Sequence, residues 1–224
     1  MKYLAIVLIF VSSVAFGQST ETRNLPSFSA IDVSEGILVV MTAGSKEEAV
    51  IEVTGADLED VITEVSGQTL NIEMRGNNNY RNLEVTVLVT YKNIDEIDLS
   101  SAGRLTFETK LVSEELDIEV SSAGSMKAEI EVSRLEVDIS SSGKVELSGR
   151  SDRQTVDLSS AGRYDAGDLQ TNFTEIDASS AGSATVFVSQ ELRADANSAG
   201  SIKYKGNPEK VFSDASSGGK VRKY

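Results

Sequence analysis

The sequence predicts an all-β fold: a single-domain parallel β-helix with turns of about 19–20 residues and irregular N-terminal turns. Three observations predict it. A small-residue phrase, Ser-Ser-Ala-Gly, ends at Gly103, Gly124, Gly162 and Gly182, with close variants ending at Gly143, Gly200 and Gly219. The steps between these glycines are 21, 19, 19, 20, 18 and 19 residues, the spacing of a solenoid in which each repeat is one turn. Apolar residues alternate with polar ones on both sides of the phrase, a period of two that belongs to half-buried strands.

Six and four residues before each glycine the columns are apolar: Ile97/Leu99, Ile118/Val120, Val137/Ile139, Val156/Leu158 and Ile176/Ala178. Between them stands an acid in every turn: Asp98, Glu119, Asp138, Asp157, Asp177, Asp195 and Asp214. After the glycine, Leu105/Phe107, Met126/Ala128, Val145/Leu147 and Tyr164/Ala166 alternate with polar residues and predict a second strand. Ser-Ser-Ala-Gly is then the corner. Glycine is expected to supply a backbone angle that other residues resist, and small Ser and Ala to let corners stack. The only prolines, Pro26 and Pro208, lie outside the stacked strands.

Upstream, Ile31/Val33, Ile37/Val39, Leu70/Ile72/Met74 and Leu83/Val85/Val87/Val89 also alternate, and 75–82 reads as a loop. The regular corner is missing there, so 28–97 is expected to be the cap and first turns of the same body. Met1-Lys2, the apolar stretch to Phe16, and small residues at Ala15 and Gly17 predict a secretory signal peptide over 1–17. The apolar run is shorter than the ~20 residues of a membrane span. The chain contains no Cys, so a lipoprotein anchor is not expected and the protein is placed in the periplasm, outside the cell or at its surface. The expected division is signal peptide 1–17, leader 18–27, β-helix domain 28–219 and tail 220–224.

Composition removes several function classes. With no Cys and no His, neither the usual structural zinc site nor a His-based nucleophile system can be built. A net charge of −14 argues against nucleic acid as partner. No strand-to-helix phosphate fingerprint occurs.

The phrase from Phe28 to Ile37, then Leu70-Asn71-Ile72, the small-residue corners, and Tyr204-Lys205-Gly206-Asn207-Pro208 resemble the head GIN domain family of auto-transporter adhesins. The resemblance runs from about 28 to 219. It implies a secreted bacterial β-helix protein and an adhesive role, and it carries no catalytic motif.

The acid column from Asp98 to Asp214 places like charges about 4.8 Å apart, which destabilises a sheet. Calcium binding is one way to relieve it, though the nonapeptide phrase of calcium β-rolls is absent. A solvated face helped by cations one and three residues after the glycines (Arg104, Lys144, Arg163, Lys220; Lys127, Lys203, Arg222) is the preferred reading. The serines two residues before each glycine (Ser101, Ser122, Ser141, Ser160, Ser180, Ser198, Ser217) are read as hydroxyls bonding along the rod. Asp165 and Asp168, beside Arg163 and Tyr164, are a carboxylate pair able to flank a sugar bond. The expected protein is non-enzymatic, with no catalytic, cofactor or metal residues assigned, and presents a surface for adhesion or envelope contact to an unnamed glycan, protein or surface ligand. The alternative is a carbohydrate-active or calcium-assisted glycan-binding protein.

Overall fold

A computed structural model describes residues 19–76, 80 and 82–224. The signal peptide expected over 1–17 and most of the central part of the 75–82 loop lie outside the described residues. All strands join one sheet. They are β1 (Ser19–Asn24), β2 (Ala30–Val33), β3 (Leu38–Ala43), β4 (Glu48–Thr54), β5 (Val61–Ser66), β6 (Thr69–Met74), β7 (Glu84–Tyr91), β8 (Glu96–Leu99) and β9 (Arg104–Phe107). The long strands follow: β10 (Leu111–Val120), β11 (Ser125–Ile139), β12 (Lys144–Leu158), β13 (Arg163–Ala178) and β14 (Ser183–Ala196). β15 (Ser201–Lys205), β16 (Lys210–Ala215) and β17 (Lys220–Lys223) close the chain, and Leu58–Asp60 is a short 3₁₀ turn.

The sheet winds into a solenoid. One side, face A, runs β5-β6-β2-β8-β10-β11-β12-β13-β14-β16. A second, face B, runs β1-β4-β7-β3-β9-β11-β12-β13-β14-β15-β17. The long strands bend through a third side, where Leu111–Ser113 pairs with Ile130–Val132 and that with Gly149–Ser151. Every pairing from β8 onward is parallel. The N-terminal end is not: β1–β4, β4–β7 and β5–β6 are antiparallel, so the cap is a set of hairpin-like strands laid on a parallel coil. Residues 18–27, read from the sequence as a leader, contain β1, and the tail 220–224 contains β17. Both are held by backbone pairing that their polar composition does not announce.

The predicted inward columns form the core. Along β11, Met126, Ala128, Ile130, Val132, Leu135, Val137 and Ile139 are all buried, and the alternation breaks only at Ser133–Arg134. A polar knot sits inside this core. Tyr164 Oη donates to Gln154 Oε1 at 2.8 Å, Gln154 Nε2 donates to Thr174 Oγ1 at 3.0 Å, and Thr171 and Thr174 hydroxyls lie 2.8 Å apart. Burial pushes the Tyr164 hydroxyl pKa far up, so it stays a donor. Gln154→Leu strands that hydroxyl in apolar surroundings. It is expected to cost about 1–2 kcal/mol by denaturant unfolding, the price of one unmet buried donor. A neutral substitution would mean that the knot gives way to solvent.

The corners correct the sequence reading. The glycine that ends each phrase does not take the left-handed angle. The two residues before it do: Ser101 and Ala102 have φ of 46° and 64°, and Ser160 and Ala161 have 48° and 63°. Two successive positive φ values with a Gly103 N–H to Ser100 C=O bond of 2.7 Å make a type I′ turn. The glycine is required by close approach instead. A Cβ at Gly162 would lie 2.7 Å from the Ile139 carbonyl oxygen, and one at Gly143 would lie 2.6 Å from that of Val120. The serine ladder is likewise backbone, not hydroxyl. The N–H of Ala102 donates to the carbonyl of Ser122, Ala123 to Ser141, and Ser142 to Ser160, at 2.9–3.0 Å. The seven serines are exposed, and their hydroxyls bond to no protein group among the described residues. The N-terminal turns are also less irregular than expected. Glu35 and Gly36 hold φ of 58° and 74°, and the Gly36 N–H donates to the Ser101 carbonyl, so Ser34–Ile37 is the same corner in different residues.

Candidate functional site

Two surfaces emerge on this scaffold. The first is the acid ladder on face A. Its register holds throughout: Asp98 pairs with Glu119, Glu119 with Asp138, Asp138 with Asp157, Asp157 with Asp177, Asp177 with Asp195, and Asp195 with Asp214. The ladder is longer than the repeat showed, because Asp32 pairs with Asp98. Its signal was present: Ile31-Asp32-Val33 is the same apolar–acid–apolar triplet, but no corner phrase marked its place. Two residues on, Ser140, Ser159 and Ser179 face the same side and form a shallow trough with Asp138, Asp157 and Asp177.

The ladder's electrostatics follow from this stacking. Partial burial raises the carboxyl pKa of Asp98, helped by Asp32 and Glu96, and likewise that of Asp138, helped by Asp157, Asp117 and Glu119. Asp177 and Asp32 are raised for the same reasons. Two of the cations expected to relieve these charges pair with an acid on the other face. Lys127 pairs with Glu146 at 2.5 Å, and Lys144 also reaches Glu146, at 3.8 Å. The corner turns these lysines onto face B, away from the acids. No three carboxylates converge to enclose a metal ion among the described residues. Millimolar calcium is therefore expected to leave the melting temperature unchanged; a rise of several degrees would overturn this, since a ligand of the folded state must stabilise it.

The second surface is a groove of about 330 Å³ across face B and the third side. One row is Thr106, Lys127, Glu146 and Asp165, in register on four successive strands. The next is Glu129, Ser148 and Asp168. Residues three apart on a regular strand face opposite sides, so Asp165 and Asp168 should not meet the same solvent. A one-residue irregularity, with Ala166 and Gly167 both buried, returns Asp168 to the outside. This bulge is the physical origin of the 20-residue step in the repeat. Lys110 lies 3.3 Å from both Glu129 and Glu131, and Lys205 lies 3.5 Å from Asp168. The Lys127 hydrogen bond lowers the Glu146 carboxyl pKa, so the groove floor stays ionised. The Asp168 side chain is 86% exposed, so water reaches it freely. A glycoside-cleaving acid needs the opposite, a desolvated carboxyl. The groove is thus equipped to hold hydroxyl-rich or charged groups by hydrogen bonds. The sequence did not point to Lys110, Glu129 or Thr109, because the bend that gathers them has no composition of its own.

Residues 27–208 match the family described as "Putative auto-transporter adhesin, head GIN domain". The chain belongs to the head GIN domain family. A search of curated proteins finds no match to this chain. This head GIN domain is similar to the crystal structure of a putative adhesin from Bacteroides fragilis, with a TM-score of 0.85 at 21% identity, covering 94% of this chain and 98% of that one. A putative adhesin from Parabacteroides merdae matches with a TM-score of 0.75 at 18% identity over 92% and 96% of the two chains. A structure described as a putative lipid binding protein from Parabacteroides distasonis matches at 0.70 and 20% identity, over 92% and 96%. At these identities the likeness is one of fold. The head GIN assignment agrees with the fold and family read from the corners and the N-terminal phrase.

Proposed function

We propose that this head GIN domain is exported and works without catalysis, presenting face A as a contact surface for adhesion at the cell envelope. The observation that carries the proposal is the unbroken register from Asp32 to Asp214: one flat polar face, repeated in every turn, offers an extended partner the same contact many times. Repeated weak contacts sum to useful avidity without any deep pocket. Membership in a family described as adhesin-like supports the same reading.

Two measurements test it. Protease added to intact cells of a native-type host should remove an epitope-tagged copy while sparing a periplasmic control; protection until the outer membrane is opened would defeat direct surface adhesion. Purified protein on beads should be retained on cell-envelope or host-surface coatings. Asp138→Asn/Asp157→Asn/Asp177→Asn should lower that retention at least tenfold while remaining folded. Unchanged retention would remove face A from the contact.

A second reading is favoured by the groove. Asp165, Asp168, Lys127 and Thr106 around about 330 Å³ fit a short glycan bound by its hydroxyls. Asp165→Asn with Asp168→Asn would abolish glycan retention under this reading and leave face A adhesion intact.

A further inference from the structure

The two ends of the solenoid are built differently. The N-terminal end is sealed. Arg23 on β1 crosses to the other edge, donating to the Val61 carbonyl at 2.6 Å, the Thr63 hydroxyl at 3.0 Å and the Leu58 carbonyl at 2.8 Å. The C-terminal end is open. Among the described residues β16 pairs only with β14, and β17 only with β15, so no described strand covers their outer edges. The last turn also exposes apolar surface: Val211 is 43% exposed although its register partner Leu192 is fully buried, while Phe212 stands on the outside of face A with the Arg193 guanidinium 5.1 Å from its ring centroid.

Charge separates the ends as well. Residues 203–223 carry Lys203, Lys205, Lys210, Lys220, Arg222 and Lys223 against Glu209 and Asp214, a local excess of +4 in a chain of net −14. The opposite end, β1 with 57–66, carries Glu21, Asp57, Glu59, Asp60 and Glu64 against Arg23, an excess of −4. Each face ends in one free strand at either end: β5 and β16 on face A, β1 and β17 on face B. Face B is one strand longer than face A, so a copy shifted along the axis to set β1 against β17 leaves β5 and β16 one strand apart.

We infer that the open, basic C-terminal end docks on the acidic N-terminal cap of a second copy of this chain, giving head-to-tail stacks. The apolar rim at Val211 and Val221, in register with the buried Leu192 and Ile202, supplies contact area, and the +4 and −4 patches set the polarity. Two C-terminal ends facing each other would place like charges together, which disfavours a two-fold dimer. The contact is heterologous and does not close, so it lengthens with concentration.

Sedimentation of the purified chain as exported, without residues 1–17, tests this at 50 mM and 500 mM salt. The weight-average mass is expected to rise with concentration at low salt. The apparent dissociation constant should increase at least tenfold at high salt, where screening shortens to a few ångströms. Lys220→Glu/Arg222→Glu should abolish association, and so should Glu59→Lys/Glu64→Lys on the opposite end. Mixing the two variants should restore it, because each now presents complementary ends; this also shows that both are folded. A monomer at all concentrations up to about 0.5 mM would overturn the inference. So would association sensitive to the C-terminal variant but not to the N-terminal one, which would indicate a two-fold contact or another partner surface.

Discussion

Gly162→Val is expected to lower unfolding stability by about 3 kcal/mol, at the upper end of overpacking costs. In a domain of this size that shifts the melting temperature down by roughly 6–12 °C. The cause is contact. A Cβ at this position would stand 2.7 Å from the Ile139 carbonyl oxygen, 2.9 Å from Ile139 Cγ2 and 3.0 Å from the Ser159 carbonyl oxygen. Turns lie on both sides, so the backbone has nowhere to retreat, and moving it would stretch the Ala161 N–H to Ser180 bond of 3.0 Å. Gly219 is the control. Its Cβ would approach the Ala196 carbonyl oxygen even more closely, at 1.9 Å, but no described strand pairs with the outer edge of β17, which can swing outward. Gly219→Val is therefore expected to cost less than Gly162→Val. Equal losses in thermal melts would mean that local clash, not position in the stack, decides the penalty.

Neutralising the ladder should act in the opposite direction. Asp98→Asn/Asp138→Asn/Asp177→Asn is expected to stabilise by about 2 kcal/mol at pH 7 and low salt, since each change removes like-charge cross-strand contacts worth a few tenths to 1 kcal/mol. The pH dependence of the parent follows the same sign. These carboxyls have folded pKa values raised above the ordinary 3.8. The folded chain then binds more protons than the unfolded one, so the ladder's contribution is most favourable below about 3.8 and is lost as pH rises through the raised values. Glu146, lowered by Lys127, works the other way, stabilising above its unfolded value and losing that as pH falls. Glu47, lowered by Lys92, acts as Glu146 does, and these two ion pairs stand against the four raised carboxyls of Asp32, Asp98, Asp138 and Asp177. Melting temperature should thus climb as pH falls through the raised carboxyl values toward 3.8, and the triple variant should flatten that slope. A parent that loses stability steadily over this range would show that the ladder is relieved in some other way.

The regular part of the molecule was readable because each turn must repeat the same compromise. Apolar residues at Ile118 and Val120 face the core, Glu119 faces water, and a glycine must pass beneath the previous carbonyl. Such constraints leave columns in the sequence. The parts that escaped have no column. β1 is polar along its length and is recognisable only by what it pairs with. Ser34–Ile37 makes the same corner as its neighbours with Glu35 and Gly36 at the left-handed positions, so geometry recurs where the phrase does not. The groove was half visible. Asp165 and Asp168 stood out as carboxylates off the repeat, but the bulge at Gly167 that turns both outward has no signature beyond one extra residue. What an acidic ladder or a groove holds is decided by a partner's shape and charge, and these leave no mark on the spacing of glycines.

The asymmetry of the two ends also gives the chain a direction in time and under load. Each turn touches only its neighbours, so order spreads from a finished turn to the next. Arg23 ties the N-terminal hairpins into a closed lid, and that end emerges first when a chain is made or threaded through a channel. The lid is then a ready template on which later corners add one by one, each new Ser carbonyl capturing an N–H already waiting. Under tension the two ends present different bonds. A pull on the C-terminus meets β17, paired to β15 alone, while a pull on the N-terminus must break the Arg23 bonds to Leu58, Val61 and Thr63 besides the β1–β4 pairing.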